Sequence, residues 1–172
     1  TDAEYQLLEK IRHIPKTKFL AGNADFALGI VTGNNKKYIS SVKNKDNEVI
    51  LKGSDICKYH TNPNSNYIVF NSQNFQQVAP IELYRAPEKL LYRFISSQLV
   101  FAYDDKQTLS LNSCNVVIPK LEGLHIKYIL AILNSRVAQF IYKMEFHSVK
   151  VLRSHIENIP IPDVNAGMQN SI

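Results

Sequence analysis

Amide and lysine side chains lie side by side in one short stretch of the sequence, where they could recognise a nucleic acid. The stretch consists of Asn34, Asn35, Lys36, Lys37 and Tyr38. Amides can form paired hydrogen bonds with the edge of adenine, lysines neutralise phosphate, and a tyrosine can donate to phosphate or stack on a base. The stretch therefore predicts a binding loop. The alternative is that residues 33–35 only close a turn, because Gly and Asn are common turn formers.

Further cationic and amide side chains extend this predicted surface. They are Lys52, Arg85, Lys106, Arg136, Gln139, Lys143, Lys150 and Arg153. Arg136, Gln139 and Lys143 are spaced three and four residues apart, so on a helix they would share one face. For each lone Lys or Arg, the alternative is a solvated surface side chain.

Motifs for cofactor-dependent catalysis are missing from the sequence. There is no Gly-x-Gly spacing of a dinucleotide or methyl-donor loop, and no Gly-Lys-Ser/Thr phosphate loop. An amino-methyltransferase needs an aromatic residue after its Asn-Pro-Pro motif to stack the extruded base, but Asn64 and Ser65 follow the only Asn-Pro, at Asn62. We interpret this Asn-Pro as a turn, and we expect no catalytic residue and no bound cofactor in this chain.

Two short motifs imitate metal sites. Cys57 and His60 have a metal-like spacing but lack the second pair that zinc, with its three or four ligands, would require. Residues 104–106, Asp-Asp-Lys, resemble half of a metal-dependent nuclease site, with Glu88 as the upstream acid. The same residues lie where two predicted strands need a polar turn. We favour the turn, expect no metal site, and keep a nuclease as the less favoured alternative.

Length and composition indicate one globular domain. The chain has 172 residues, of which 45% are hydrophobic and 20% charged, a balance that allows a real core. A net charge of +5 and a pI near 9.1 favour a polyanionic partner. Two cysteines predict no disulfide framework and fit the cytoplasm, and no apolar run is long enough to predict a membrane span. The first residue is not Met, which predicts a segment of a longer protein.

Hydrophobic periodicity predicts a mixed α/β fold of the α+β kind, with an antiparallel-rich sheet and a long C-terminal helix. The long helix is predicted over 124–146, because apolar residues recur at steps of three and four. Its predicted buried stripe is Ile126, Ile129, Leu130, Leu133, Val137, Phe140, Ile141 and Met144. Other helices are predicted from Asp2, as the N-cap, to Arg12 and from Pro87 through Phe94.

Strands are predicted in the segments between these helices. The predicted strands are 26–32 and 36–41, which form a hairpin with 33–35 at its tip, and then 49–51, 67–70, 98–103, 108–112 and 115–118. The two prolines in 159–162, sequence IPIP, predict an extended exit from the last helix. The predicted division is an N-terminal helix and connector (1–18), a main domain (19–163) and a flexible tail (164–172).

Six blocks in order resemble the TaqI-like C-terminal specificity domain, the target recognition domain of adenine-specific DNA methyltransferases and of single-chain restriction-modification enzymes. The blocks are 26–38 (FALGIVTGNNKKY), 51–56 (LKGSDI) with Tyr59, 87–93 (PEKLLYR), 115–118 (NVVI), 129–137 (ILAILNSRV) and 159–162 (IPIP). The last block is similar to a motif of type I specificity subunits. The resemblance extends from about Phe19 to Pro162 and implies a helix at 87–93.

This resemblance implies a module that binds double-stranded DNA and reads base edges. Catalysis, with S-adenosylmethionine as cofactor, would belong to a methyltransferase domain upstream in the same chain, with or without endonuclease activity. The family implies no fixed reading residues, so the thirteen side chains of the predicted surface are assigned to DNA binding from their charge and chemistry. A protein-binding or RNA-binding module is the alternative.

Overall fold

The computed structural model describes the whole chain, residues 1–172. Its helices are α1 (Asp2–Arg12), α2 (Asn35–Tyr38), α3 (Ile81–Tyr84), α4 (Ile126–Leu133), α5 (Arg136–Glu145), α6 (Arg153–Glu157) and α7 (Ala166–Gln169). Its strands are β1 (Thr17–Lys18), β2 (Ala24–Ala27), β3 (Ile39–Ser40), β4 (Glu48–Leu51), β5 (Tyr67–Ile68), β6 (Lys89–Arg93), β7 (Phe101–Asp104), β8 (Leu109–Ser110), β9 (Cys114–Pro119) and β10 (Ile161–Pro162). Gly53–Asp55 and Ser72–Asn74 form short 3-10 turns. None of the helices is long and apolar enough to cross a membrane.

An antiparallel sheet of four strands, in the order β2-β9-β6-β7, runs through the middle of the molecule. In its register, Leu91 of β6 lies opposite Val116 of β9 and Ala102 of β7. A second sheet has the order β3-β5-β4-β8 and is antiparallel except for the β4–β8 pair. β1 and β10 form a separate antiparallel pair. The predicted fold class, mixed α/β with antiparallel-rich sheets, is confirmed.

The central sheet separates two hydrophobic cores, because successive side chains of a strand point to opposite faces. Leu90 and Tyr92 of β6 belong to a core of 21 buried residues that includes side chains of α4 and α5, which we call the helix-side core. Leu91, between them, belongs to a core of 15 buried residues that includes side chains of β4 and β5, which we call the loop-side core. On β9, Val117 and Val116 divide in the same way.

The helix predicted from Pro87 through Phe94 is wrong, because Lys89–Arg93 form the central strand β6. Leu90, Leu91 and Tyr92 are all buried, and the strand is paired on one edge with β7 and on the other with β9. A run that is apolar on both faces is typical of a strand covered on both sides, and its periodicity alone does not distinguish it from a buried helix segment.

The long C-terminal helix predicted over 124–146 is interrupted, and α4 and α5 meet at Asn134 and Ser135. The Ser135 hydroxyl caps α5 by accepting from the Ala138 N–H at 3.1 Å. The buried Asn134 amide bonds to the backbone of β7, which competes with helical continuation. The predicted stripe is only partly kept after this break: Ile141 is fully buried like Leu133, whereas Val137 is 50% exposed.

The hairpin predicted over 26–41 is also wrong. β2 pairs with β9 in the central sheet, and β3 pairs with β5 in the second sheet, so the two halves belong to different sheets. Between them the chain forms the single helical turn α2.

Several other predicted elements are confirmed. α1 is present, although Thr1 rather than Asp2 is its N-cap. β4, β9 and the extended exit at β10 lie where they were predicted, and β5, β7 and β8 are shorter than predicted. Within the predicted tail, Gln169 of α7 donates to the Gly123 carbonyl at 2.8 Å. The division at 1–18, 19–163 and 164–172 stays a prediction.

Candidate functional site

The segment 34–38 forms the helical turn α2 and keeps its polar side chains outside. The Asn34 side chain caps the turn by accepting from the Lys37 N–H at 3.1 Å. The buried Thr32 hydroxyl donates to the side-chain oxygen Oδ1 of Asn35 at 2.5 Å. Asn34, Asn35, Lys36 and Lys37 are exposed. Both asparagines therefore help to shape the turn, as the structural alternative proposed, and still present their NH2 groups to solvent.

α2 is fixed to a second loop, residues 71–77, which lies outside every predicted helix and strand. The ring of Tyr38 packs edge-on against Phe75, with centroids 5.8 Å apart. Val31 and Gln77 exchange backbone hydrogen bonds of 2.9 and 3.0 Å. Gly33 has a φ of +76°, and a Cβ at this position would lie 3.3 Å from the side-chain oxygen Oε1 of Gln76. These contacts place the two loops next to each other on one surface.

The loop 71–77 carries amides that site prediction missed. Its sequence is NSQNFQQ, and Asn71, Gln73, Asn74, Gln76 and Gln77 are all exposed while Phe75 is buried. A run of amides around one aromatic anchor was visible in the sequence, but no periodicity linked it to residues 34–38. We call the exposed residues of 34–37 and 71–77 the amide surface.

The amide surface belongs to a part of the chain without acidic residues. Residues 26–45 and 56–81 contain no Asp or Glu, and the first of these segments includes Lys36 and Lys37. A surface with amides, two cations and no carboxylate attracts an anionic partner and leaves uncharged donors and acceptors for specific contacts.

The predicted site residues divide between the two sides of the central sheet. Tyr38 packs against the loop-side core, whereas α5, which carries Arg136, Gln139 and Lys143, places Ile141 in the helix-side core. The structure therefore does not bring α2 and α5 together into one surface. Arg136 and Lys143 are exposed. The side-chain oxygen of Gln139, in contrast, accepts from the Leu99 N–H at 2.8 Å and helps to fix the connection between β6 and β7.

Arg85 is held in an ion pair rather than presented freely. Its guanidinium donates to both carboxylate oxygens of Glu48, at 2.8 and 2.5 Å, and to the Gln107 carbonyl at 2.7 Å. The hydrogen bond to Glu48 raises the pKa of Arg85. Of the other predicted lysines, Lys52 is half-buried and Lys106 is exposed.

Lys150 and Arg153 are exposed in the region that follows α5. The Arg153 guanidinium lies 4.7 Å from the centroid of the Phe26 ring and 3.3 Å from a Glu157 carboxylate oxygen. The roles of all thirteen predicted residues in DNA binding stay predictions.

The Asp-Asp-Lys motif at 104–106 has a structural role at the end of β7. Asp104 is buried and its carboxylate accepts from the equally buried Lys89 ammonium at 2.5 Å. It also accepts from the Thr108 N–H at 3.0 Å and the Thr108 hydroxyl at 2.7 Å. Burial lowers the pKa of Lys89, while the hydrogen bond to Asp104 opposes this. These contacts support the turn that we favoured over a nuclease motif.

The chain is a small α/β module with two hydrophobic cores and an exposed amide surface that carries no carboxylate. A family model described as the TaqI-like C-terminal specificity domain matches residues 48–161. The chain belongs to this family. The match begins after the block 26–38, so the assignment of that block stays a prediction.

Solved structures with the same fold come from type I systems. One is a chain in a structure that describes complex assembly and conformational transition of the type I R-M system. It has a TM-score of 0.60 and 14% sequence identity, and the match covers 98% of this chain and 40% of that chain. Another is the HsdS subunit from Thermoanaerobacter tengcongensis, with a TM-score of 0.55, 14% identity and coverage of 99% of this chain and 42% of that chain. The chain thus spans less than half the length of either structure. No curated protein matches it.

Proposed function

We propose that this chain recognises a specific sequence in double-stranded DNA, as the target recognition module of a restriction-modification system. The observation that carries the proposal is the amide surface: exposed amides and the adjacent Lys36 and Lys37, in segments without a single carboxylate. Lysines supply the sequence-independent attraction to phosphate, and amides supply contacts that depend on the base. Membership in a specificity-domain family supports the same role.

The catalytic partner in this proposal is a separate domain or subunit, an adenine-specific DNA methyltransferase with or without an endonuclease. S-adenosylmethionine would bind there, because this chain has no Gly-x-Gly loop that could hold it. The same partner would reside with this chain in the cytoplasm. In this arrangement the present chain binds and orients the DNA, and methyl transfer takes place in the catalytic partner.

Binding of the purified chain to duplex DNA, single-stranded DNA and duplex RNA tests the proposal. A pool of random duplex DNA should bind more tightly than the matching single strands and than duplex RNA, and rounds of selection should enrich a defined sequence. Equal or tighter binding to RNA would overturn the proposal in favour of an RNA-binding module. A duplex pool that never becomes enriched would refute sequence recognition.

A second experiment tests the division of labour. The chain alone should transfer no methyl group from S-adenosylmethionine to adenine in duplex DNA. Transfer by the purified chain, above the level of a heat-denatured control, would show that catalysis resides here and would contradict the proposal.

A further inference from the structure

The loop 71–77 presents amides whose hydrogen-bonding groups are free. Gln73, Asn74, Gln76 and Gln77 are exposed, and their side chains make no hydrogen bond within the chain. A free amide offers one acceptor and two donors, which is the pattern needed for a paired contact with N6 and N7 of adenine.

Several amides elsewhere in the molecule hold the fold through hydrogen bonds to the backbone. The Asn115 oxygen accepts from the Gly29 N–H at 2.9 Å, and Asn134, Gln139 and Gln169 likewise bond to backbone groups. At α2, the side-chain oxygen of Asn34 accepts from the Lys37 N–H. The side-chain oxygen of Asn35 accepts from the Thr32 hydroxyl. The 71–77 amides are therefore better placed for paired contacts with a base than the α2 asparagines named from the sequence.

These free amides are carried by an ordered loop. Phe75, in the middle of the loop, is buried in the loop-side core and contacts the rings of Tyr38 and Phe70 at 5.8 Å each. At the start of the loop, the Asn71 side chain accepts from the Gln73 N–H at 3.1 Å. At its end, Gln77 forms two backbone hydrogen bonds with Val31. Because both ends and the centre are fixed, little backbone freedom is lost when the amides meet a ligand.

The position of the loop agrees with a groove contact. Lys36 and Lys37 lie on the adjoining turn, where they can neutralise phosphates that flank a groove. Neither loop carries a carboxylate that would repel the phosphate backbone of DNA.

We propose that Gln73, Asn74, Gln76 and Gln77 are specificity-determining residues that read base edges in the major groove, and that the target contains at least one A·T pair contacted by them. This inference rests on the proposed function and names the residues and base pair that it requires. Paired amide contacts to adenine account for the A·T preference, because no other base shows an acceptor and a donor in that arrangement.

Selection from a random duplex pool, followed by competition between the selected site and its single-base variants, tests this. Each of Gln73→Ala, Asn74→Ala, Gln76→Ala and Gln77→Ala should keep its folding and its salt dependence. At least one of them should lose the preference for an A·T pair at one position by about 5- to 150-fold, leaving the other positions unchanged.

Matched controls are Gln6→Ala on α1 and Asn170→Ala beyond α7, both exposed amides outside the amide surface. Each should retain the full selected sequence. If the wild type selects a defined sequence and all four loop variants retain it at every position, the inference is wrong while the proposed function stands. If the wild type selects no sequence, the proposed function fails, and the inference fails with it.

Discussion

The side chain of Asn134 forms hydrogen bonds with both backbone groups of Phe101. Its oxygen accepts from the Phe101 N–H at 2.9 Å and its NH2 group donates to the Phe101 carbonyl at 2.9 Å. The amide thus pairs with β7, an edge strand of the central sheet, in the manner of a neighbouring strand. The end of α4 is tied to the sheet at this point, and α5 starts in a new direction.

Asn134→Ala should therefore destabilise the chain strongly. The substitution leaves the buried Phe101 N–H without this partner, at a cost of about 1–3 kcal/mol, whereas the Phe101 carbonyl keeps its hydrogen bond from the Tyr59 N–H at 2.7 Å. Urea unfolding measures the effect. Ser135→Ala, which removes only the α5 cap, is the comparison and should cost about 0.5–2 kcal/mol. An Asn134→Ala loss no larger than that of Ser135→Ala would show that the amide pairing contributes little.

The interruption of the helix predicts different outcomes at two positions that one continuous helix would bury alike. Leu133→Asp places a charge in the helix-side core, where the wild-type side chain is fully buried, and should cost several kcal/mol or prevent folding. Val137→Asp, at a side chain that is 50% exposed, should change the free energy of unfolding by less than about 1 kcal/mol. Equal losses in thermal melting would favour a single buried stripe.

Helices and strands could be predicted from the sequence where the local residue pattern is compatible with only one type of element. The apolar spacing of α1 and the short runs of β4 and β9 indicated their type, and the Ile-Pro-Ile-Pro exit indicated extended chain. Residues 89–92 were assigned to a helix instead of a strand, because the periodicity of a short apolar run does not distinguish a buried strand from a buried helix segment. Asn134 was misassigned because its partner, Phe101, is distant in sequence.

The buried ion pair of Lys89 and Asp104 is expected to behave as a unit. Lys89→Met leaves the Asp104 carboxylate buried beside Thr108, and Asp104→Asn leaves a buried ammonium, so each should cost about 3–5 kcal/mol. The double variant should lose less than the sum of the two single variants, because neither charge is then left alone. A double-mutant cycle in urea measures this coupling, and additive losses would contradict it.

His155 should make stability depend on pH. Its ring stacks on Phe146 at 4.4 Å between centroids, and burial lowers its pKa below the usual 6.5. The unfolded chain therefore binds a proton at higher pH than the native chain, so this contribution is complete above pH 6.5 and is lost as the pH falls through the native pKa.

Unfolding curves at about pH 7.5 and about pH 5.5 detect this loss. The wild type should lose more stability across that interval than His155→Gln, in which only the remaining groups titrate. Equal losses in the two proteins would assign the pH dependence to carboxylates.

The candidate site was predictable in part. Residues 34–37 were singled out by their chemistry, and they are exposed on the surface that we propose for DNA. Their neighbours at 71–77 were missed because the link between the two loops, Tyr38 against Phe75, is a tertiary contact. Arg85 was included on charge alone, and its pairing with Glu48 connects segments 37 residues apart.

Lys36 and Lys37 should contribute to binding of every duplex alike. They are exposed on α2 beside the free amides, and a lysine that neutralises a phosphate releases a counterion without reading a base. Lys36→Ala/Lys37→Ala should therefore weaken binding to selected and random duplexes by the same factor, and lower the slope of log affinity against log salt by about 0.9 for each lost phosphate contact. The control Lys10→Ala/Lys16→Ala removes the same charge from exposed positions at the N-terminal end and should leave the slope nearly unchanged. If both double variants lower the slope equally, the attraction comes from net charge, and α2 does not contact phosphate.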